Sequence, residues 1–280
     1  MAAEITTVYR ARGAAHPWRW LALGLMALAV LLPLLPLLLW SFAFRWAFPS
    51  LLPAEWSLRP WRYIAAPESQ VGLALANSLA LGVVVTLLAA LIGLPAGRAL
   101  GLYQFRGKRL VEFLILAPVI VPGLAVVLGI HVLFIRYGLS ETFAGVALVH
   151  LIPTVPYMTL VMASVFANYD TQFEDQARVL GATPWRAFRL VTLPAIWPGV
   201  VVGALFAFLI SWSQYVLTLL IGGGAVITLP LLLFAFAGSG DNAITAALCL
   251  VFVAPAVLLL FFTSRYLGGE PAAVSGFGKL

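Results

Sequence analysis

The sequence predicts an all-α membrane protein with six transmembrane helices. Three observations carry that prediction. Of the 280 residues, 63% are hydrophobic and only 9% are charged, against about 25% charged in an ordinary soluble domain. Six apolar runs reach the roughly 20 residues that a helix needs to cross a bilayer core of about 30 Å. The runs do not alternate apolar with polar residues, which argues against a transmembrane barrel. The composition also excludes a soluble enzyme, a secreted domain and a nucleic-acid binder. The net charge of +6 reads as positive cytoplasmic loops and not as a nucleic-acid footprint. The lone Cys249 can form neither an internal disulfide nor a metal cluster.

The first span is expected at Trp20–Phe44, behind a cytoplasmic N-terminus of residues 1–19. Arg10, Arg12 and Arg19 precede it, and Ser41-Phe42-Ala43 faintly resembles a cleavage site. The apolar run is nevertheless too long for a signal peptide, so it reads as an uncleaved span. Residues 45–70 form a periplasmic loop with Trp46, Trp56, Trp61 and several prolines, a composition suited to a structured cap at the outer interface. The remaining spans, at Val71–Ala96, Leu110–Ile135, Phe143–Ala167, Leu193–Leu220 and Ala243–Tyr266, make up a core over residues 71–267, followed by a mobile cytoplasmic tail at 268–280. Pro95, Pro118, Pro122, Pro153 and Pro156 should kink helices or mark their ends. Gly93, Gly97 and Gly101 repeat at the spacing that lets helices approach closely, as do Gly199 and Gly203. The short apolar stretch Ile227–Ala237 is too short to span. It suits a segment that dips into the membrane or lies at its surface.

Orientation follows from the basic residues. With the N-terminus inside, Arg10, Arg12, Arg19, Arg98, Arg106, Lys108, Arg109, Arg178, Arg186, Arg189, Arg265 and Lys279 are cytoplasmic, and only Arg45, Arg59, Arg62 and Arg136 are outside. This bias places both termini in the cytoplasm.

The loop at 168–192 is longer than a connection requires. Thr171 and Glu174 have the spacing of a capping box, which starts a helix. Asp170, Glu174 and Asp175 suit the positive end of its dipole. Gly181 is a natural left-handed stop. Thr183 and Pro184 start a second helix as cap and first-turn residue. Phe173, Ala177 and Leu180 share one face, as do Trp185, Phe188 and Leu190. A rigid amphipathic helix–turn–helix of this kind either rests on lipid headgroups or docks a soluble partner.

This loop resembles the EAA motif of binding-protein-dependent ABC importer permeases, the type I or maltose-permease-like fold. Aligned on Gly181, the sequence reads Asp175-Gln176-Ala177, Arg178-Val179-Leu180, Gly181-Ala182, then Phe188, Leu193-Pro194 and Pro198. Asn77-Ser78, Ala117-Pro118 through Pro122-Gly123, and Pro153 through Tyr157 extend the resemblance over about Val71–Leu267. The resemblance implies a six-helix permease with a cytoplasmic coupling helix, in which Glu174, Asp175, Ala177, Gly181, Ala182, Pro184, Phe188, Leu193 and Pro194 form the ATPase-coupling loop. The motif's leading Glu is Asp175 here, with Glu174 one residue earlier, so either carboxylate is a candidate for the ATPase contact. The implied partners are two ABC ATPase subunits, a second permease (a heterodimer is favoured over a homodimer), a periplasmic solute-binding protein and membrane lipid, at a bacterial inner membrane.

No phosphate loop is present. The nearest match, Gly101 to Gly107-Lys108-Arg109, has five intervening residues and Arg where a hydroxyl belongs. ATP and magnesium are therefore expected on the separate ATPase subunits, with no cofactor or metal bound by this chain. No catalytic Ser/His/Asp, paired-Asp or His-x-x-x-His arrangement appears, so no enzymatic activity is expected.

The few polar residues in the spans define a candidate translocation path. It comprises Ser211, Trp212, Ser213, Gln214, Tyr215 and Thr218 in the fifth span, with Asn77, His131 and Tyr157. Ser211, Tyr215 and Thr218 make one stripe at helical spacing. The competing reading is interhelical hydrogen bonding, which is also the usual role of a buried membrane histidine such as His131 or His150. Ile221-Gly-Gly-Gly, Thr228-Leu229-Pro230 and Asp241 resemble the polyamine-permease subgroup, although relatives often carry acidic residues where Ser213-Gln214 stand. A polyamine-like solute is thus favoured, with thiamine, iron or phosphonate import as alternatives. A secondary transporter or channel without an ATPase is the alternative class.

Overall fold

The computed structural model describes residues 17–47 and 49–267. The expected cytoplasmic N-terminus up to residue 16 and the mobile tail at 268–280 lie outside the described residues.

Among the described residues, four helices are long and apolar enough to cross a membrane, or five if one bent pair counts as a single span. The expected six continuous spans are corrected in three places. The first span is two pieces, α1 (Pro17–Leu31) and α2 (Leu34–Trp40). They are separated at Leu32-Pro33, where proline supplies no backbone N–H to the helix ladder. The chain then turns into a two-stranded antiparallel ribbon, β1 (Ala43–Arg45) with β2 (Glu55–Trp56). A short helix α3 (Arg59–Ala65) follows. The outer loop is therefore structured.

Helix α4 (Val71–Leu102) is a single 32-residue helix that passes through Pro95. The third expected span is the second correction. It splits into α5 (Lys108–Ile120) and α6 (Gly123–Arg136), bent by 97°. Pro122 forces the residue before it out of helical conformation, and Val121 accordingly adopts φ −75°, ψ 133°. Helix α7 (Phe143–Ala167) runs unbroken through Pro153 and Pro156.

The expected coupling loop, residues 168–192, contains α8 (Gln172–Val179) and α9 (Pro184–Ala187). Helix α9 passes without a loop through a π turn at Phe188–Thr192 into α10 (Leu193–Trp212). Pro184–Trp212 is thus one 29-residue helical unit. The fifth span does not reach Leu220, and this is the third correction. It stops at Trp212 and restarts as α11 (Val216–Gly222). At the stop Ser213 bonds back to the Ile210 carbonyl at 3.3 Å, a local bond that competes with helix continuation. Helix α12 (Leu229–Ser239) is the short apolar stretch, and α13 (Asn242–Leu267) is the last span.

Helices α4 and α7 form the centre. Gly93, Gly97 and Gly101 face Met158, Met162 and Phe166 of α7. A Cβ at Gly93 would stand 2.5 Å from Met158 Cγ, one at Gly101 2.6 Å from Phe166 Cβ, and one at Gly97 would collide with Met162. Only glycine lets the two backbones come this close. Three apolar clusters surround this seam. Val127, Val146, Leu217 and Ile221 join α6, α7 and α11. Phe208, Trp212, Leu229 and Leu248 join α10, α12 and α13. Met158, Met162, Phe166 and Ile196 join α7 and α10.

Candidate functional site

The expected coupling loop is built from local rules first. Helix α8 ends in a Schellman turn: Ala182 N–H donates to Ala177 C=O at 3.0 Å and Gly181 N–H to Arg178 C=O at 2.9 Å. Gly181 takes φ +89°, a conformation that costs any other L-residue energy. Thr183 caps α9 by accepting from Arg186 N–H at 3.4 Å. The expected capping box at Thr171 does not form. Thr171 is already helical and makes no side-chain cap, and Asp170 Oδ1 instead accepts from Gln172 N–H at 2.9 Å.

Glu174 is absent from that box because its carboxylate is used elsewhere. It accepts from Arg98 Nη2 of α4 at 2.7 Å and from Thr192 Oγ1 of the π turn at 2.7 Å. Arg178 stands 3.9 Å away. Tyr169 in turn donates to Thr192 Oγ1 at 3.4 Å, and the Arg98 guanidinium lies 5.7 Å from the centre of the Phe166 ring. Burial works to raise the pKa of Glu174. The hydrogen bonds from Arg98 and Thr192, together with the charges of Arg98 and Arg178, outweigh it and hold the carboxyl below its ordinary value. Burial raises the Tyr169 phenol, and the neighbouring Glu174 charge adds to that effect.

Glu174 is therefore buried, 4% exposed, and corrects the reading in which it faces a partner as readily as Asp175. Asp175 is exposed. In the same segment, Val179, Leu180, Trp185 and Leu190 are all at least 67% exposed. Leu180 and Leu190 line a hollow of about 310 Å³ together with Ala177, Gly181, Ala182 and Arg186. Pro184 and Pro194 are exposed, while Leu193 and Phe188 are half-buried, and Phe188 stacks on Trp185.

The membrane half contains a second cavity, of about 460 Å³. Pro118, Val121 and Gly123 at the α5–α6 bend, Tyr157 of α7, and Ser213 and Gln214 at the α10–α11 break line it. Its lining holds no charged side chain. Only three of the nine expected path residues meet here: Tyr157, Ser213 and Gln214. The stripe drawn through Ser211, Tyr215 and Thr218 assumed an unbroken helix, and the break redirects its members. Ser211 and Thr218 turn to His150. Trp212 packs between Phe208 and Phe252 and donates to the Phe252 carbonyl at 3.1 Å. Tyr215 stacks on Phe234 at 4.2 Å. Asn77 donates to the Ile227 carbonyl at 2.9 Å, beside Ser78, which accepts from Leu229 N–H at 2.9 Å. These two residues anchor the start of α12. His131 is half-buried on α6 and is not part of the cavity lining.

Sequence reasoning missed the part played by Arg98, and it gave His150 an interhelical hydrogen-bonding role without its partners, Ser211 and Thr218. Arg98 and His150 both depend on partners that are far away in the chain, and neither belongs to a local pattern. Among the described residues no group of three or more His, Cys, Asp or Glu is placed to hold a metal ion.

The family described as binding-protein-dependent transport system inner membrane component matches residues 89–268. The trehalose transport permease SugB of Mycobacterium tuberculosis is 30% identical, covering 72% of this chain and 77% of its own length. The putrescine transport permease PotI of Escherichia coli is 29% identical over 90% of both chains. A chain in the crystal structure of a bacterial ABC transporter involved in import of the acidic polysaccharide alginate superposes with a TM-score of 0.69. It covers 89% of this chain and 94% of its own at 18% identity, so it supports the fold. The match over residues 89–268 shows that the chain belongs to the binding-protein-dependent transport system inner membrane components, the permease subunits of ABC importers.

Proposed function

We propose that this permease imports a small amine-bearing solute of the putrescine type through the cavity at Tyr157, Ser213 and Gln214, driven by partner ATPases seated on α8 and α9. The observation that carries the coupling half is the continuous helix Pro184–Trp212. Its first turns border the exposed apolar hollow and its last turn ends at the cavity. A push on α9 is thereby delivered along one rigid rod to the polar lining, without a flexible joint between.

Asp175 is the carboxylate offered to the ATPase, since Glu174 is turned inward. Charge-assisted contacts of this kind fix register at a partly desolvated interface. ATP and magnesium bind the ATPase subunits and not this chain. A second, different permease completes the path, a periplasmic binding protein delivers the solute, and both termini of this chain are cytoplasmic. ATP-driven closure of the ATPases carries α8 and α9 inward and reorients the spans as rigid bodies.

The solute class rests on PotI, a relative matched over nearly the whole of both chains, together with the oxygen acceptors of Tyr157, Ser213 and Gln214. Hydroxyl and amide oxygens accept from an ammonium group, and an aromatic face attracts it further. The test is ATP hydrolysis and uptake by the complete reconstituted importer with its binding protein, given putrescine, spermidine or trehalose. Stimulation by the amines is expected. Stimulation by trehalose alone would overturn the solute assignment, and solute flux through this chain without an ATPase would overturn the coupled mechanism.

A further inference from the structure

His150 joins two pieces of the fifth span that the chain itself leaves interrupted. Ser211 lies on the last turn before the break and Thr218 on the first turn after it. From α7, His150 reaches both: Nδ1 is 3.0 Å from Ser211 Oγ and Nε2 is 2.9 Å from Thr218 Oγ1. All three side chains are buried, His150 at 1% exposure.

The proton positions follow from the third partner. Thr218 Oγ1 donates its own hydrogen to the Gln214 carbonyl at 2.9 Å, so toward the ring it is an acceptor. The ring proton is therefore on Nε2, and Nδ1 accepts from the Ser211 hydroxyl. A single neutral tautomer satisfies every group. Between the two anchor points lie Ser213 and Gln214, both on the cavity wall. The carbonyl of Gln214 is itself held by Thr218, so the ring fixes the backbone that aims the Gln214 side chain.

We propose that His150 is a positioning residue for the translocation path, setting the angle of the α10–α11 break and thereby the presentation of Ser213 and Gln214 to the cavity. This rests on reading that cavity as the path. Removing the ring does not leave its partners stranded. Ser211 can turn to a carbonyl of its own helix, as Ser213 and Thr154 do, and Thr218 keeps Gln214. What is lost is the link between the two half-helices.

The experiment uses the assembled permease–ATPase complex in lipid nanodiscs. Gln214→Cys is introduced in this chain with its one native cysteine removed by Cys249→Ala, and labelling by a water-soluble thiosulfonate is read by mass. His150→Leu is expected to change the labelling rate at position 214 about tenfold, the scale set by losing two interhelical hydrogen bonds. Labelling of a Ser239→Cys control should stay unchanged. His150→Gln, which retains a side-chain N–H donor, should return the rate to within about twofold of the parent. Ser211→Ala, which removes one link and leaves the histidine in place, should give an intermediate rate. A rate at 214 that ignores His150→Leu and Ser211→Ala, or that moves together with the control, overturns the proposal while leaving the path reading intact. A Gln214→Cys thiol that reacts in no variant overturns the path reading and the proposal together.

Discussion

Arg98 and Glu174, 76 residues apart, meet at 2.7 Å and lock α8 to the C-terminal turns of α4. Glu174 also receives Thr192, so one carboxylate binds α8 to α4 and to the rod that starts at Pro184. Removing one partner of a fully buried pair costs about 3–5 kcal/mol, whereas replacing both with apolar groups costs far less. With Arg98 a quarter exposed and Glu174 still held by Thr192, the loss here should fall below that range. Arg98→Leu or Glu174→Leu alone should therefore lower the melting temperature of the complex more than the double substitution does. Thermal unfolding in detergent, run as a double-mutant cycle, measures this. Additive losses would show that the two residues act independently.

The same carboxylate gives a pH dependence of definite sign. Its pKa is depressed in the folded chain, and the unfolded value is about 4.3. The stability it supplies is complete above that unfolded value and is lost as pH falls through the folded one. Wild-type and Glu174→Gln complexes should therefore differ in melting temperature at neutral pH and converge as the medium is acidified below about pH 4. A difference that persists unchanged into acid would place the contribution of Glu174 outside its charge.

What could be read from the sequence divides by range. Gly181 and the Thr183-Pro184 start were legible because each reports a requirement of its own few residues: a left-handed stop, a cap, a first-turn proline. Val121-Pro122 was legible as a place where a helix is disturbed, though not as a 97° bend, since the angle is set by packing against α7 and α11. The interruption at Ser213-Gln214 was hidden, because no proline or glycine marks it and apolar residues continue on both sides. That error placed Ser211, Tyr215 and Thr218 on one stripe. Glu174 was assigned to a local capping box because nothing nearby in the sequence announces Arg98.

Gly181 separates conformational need from lack of space. A Cβ there meets nothing within 4 Å, yet φ is +89°. Strain is therefore the only penalty, about 1–2 kcal/mol for an ordinary L-residue. Asn tolerates the left-handed region better than a β-branched residue does. Gly181→Asn should retain most ATPase co-purification and Gly181→Val should lose most of it. Equal loss in both variants would mean that a partner surface occupies the space above Gly181.

Gly97 makes the opposite case. Here a Cβ would strike Met162 Cβ and the backbone of α7, with no flexible side-chain end to move aside. Overpacking of a filled interior costs about 1–3 kcal/mol even when neighbours can shift, so Gly97→Leu should prevent assembly. Gly72→Leu on the same helix, where a Cβ meets nothing within 4 Å, should be tolerated. Detergent-solubilised yield and monodispersity read both outcomes, and a well-behaved Gly97→Leu would show that α4 and α7 are able to separate.

Asn77 was expected beside the path, but its amide is bonded to the Ile227 carbonyl at 2.9 Å, next to the Ser78 contact with Leu229 N–H. The two bonds pin the first turn of α12 to α4, about 150 residues away in the chain. A net contribution of about 1 kcal/mol per bond is ordinary, so Asn77→Ala should lower the melting temperature modestly. Because Asn77 does not line the cavity, solute KM should remain unchanged while Gln214→Ala raises it. If Asn77→Ala raises KM as much as Gln214→Ala does, then α12 moves with the solute and its anchor belongs to the transport cycle.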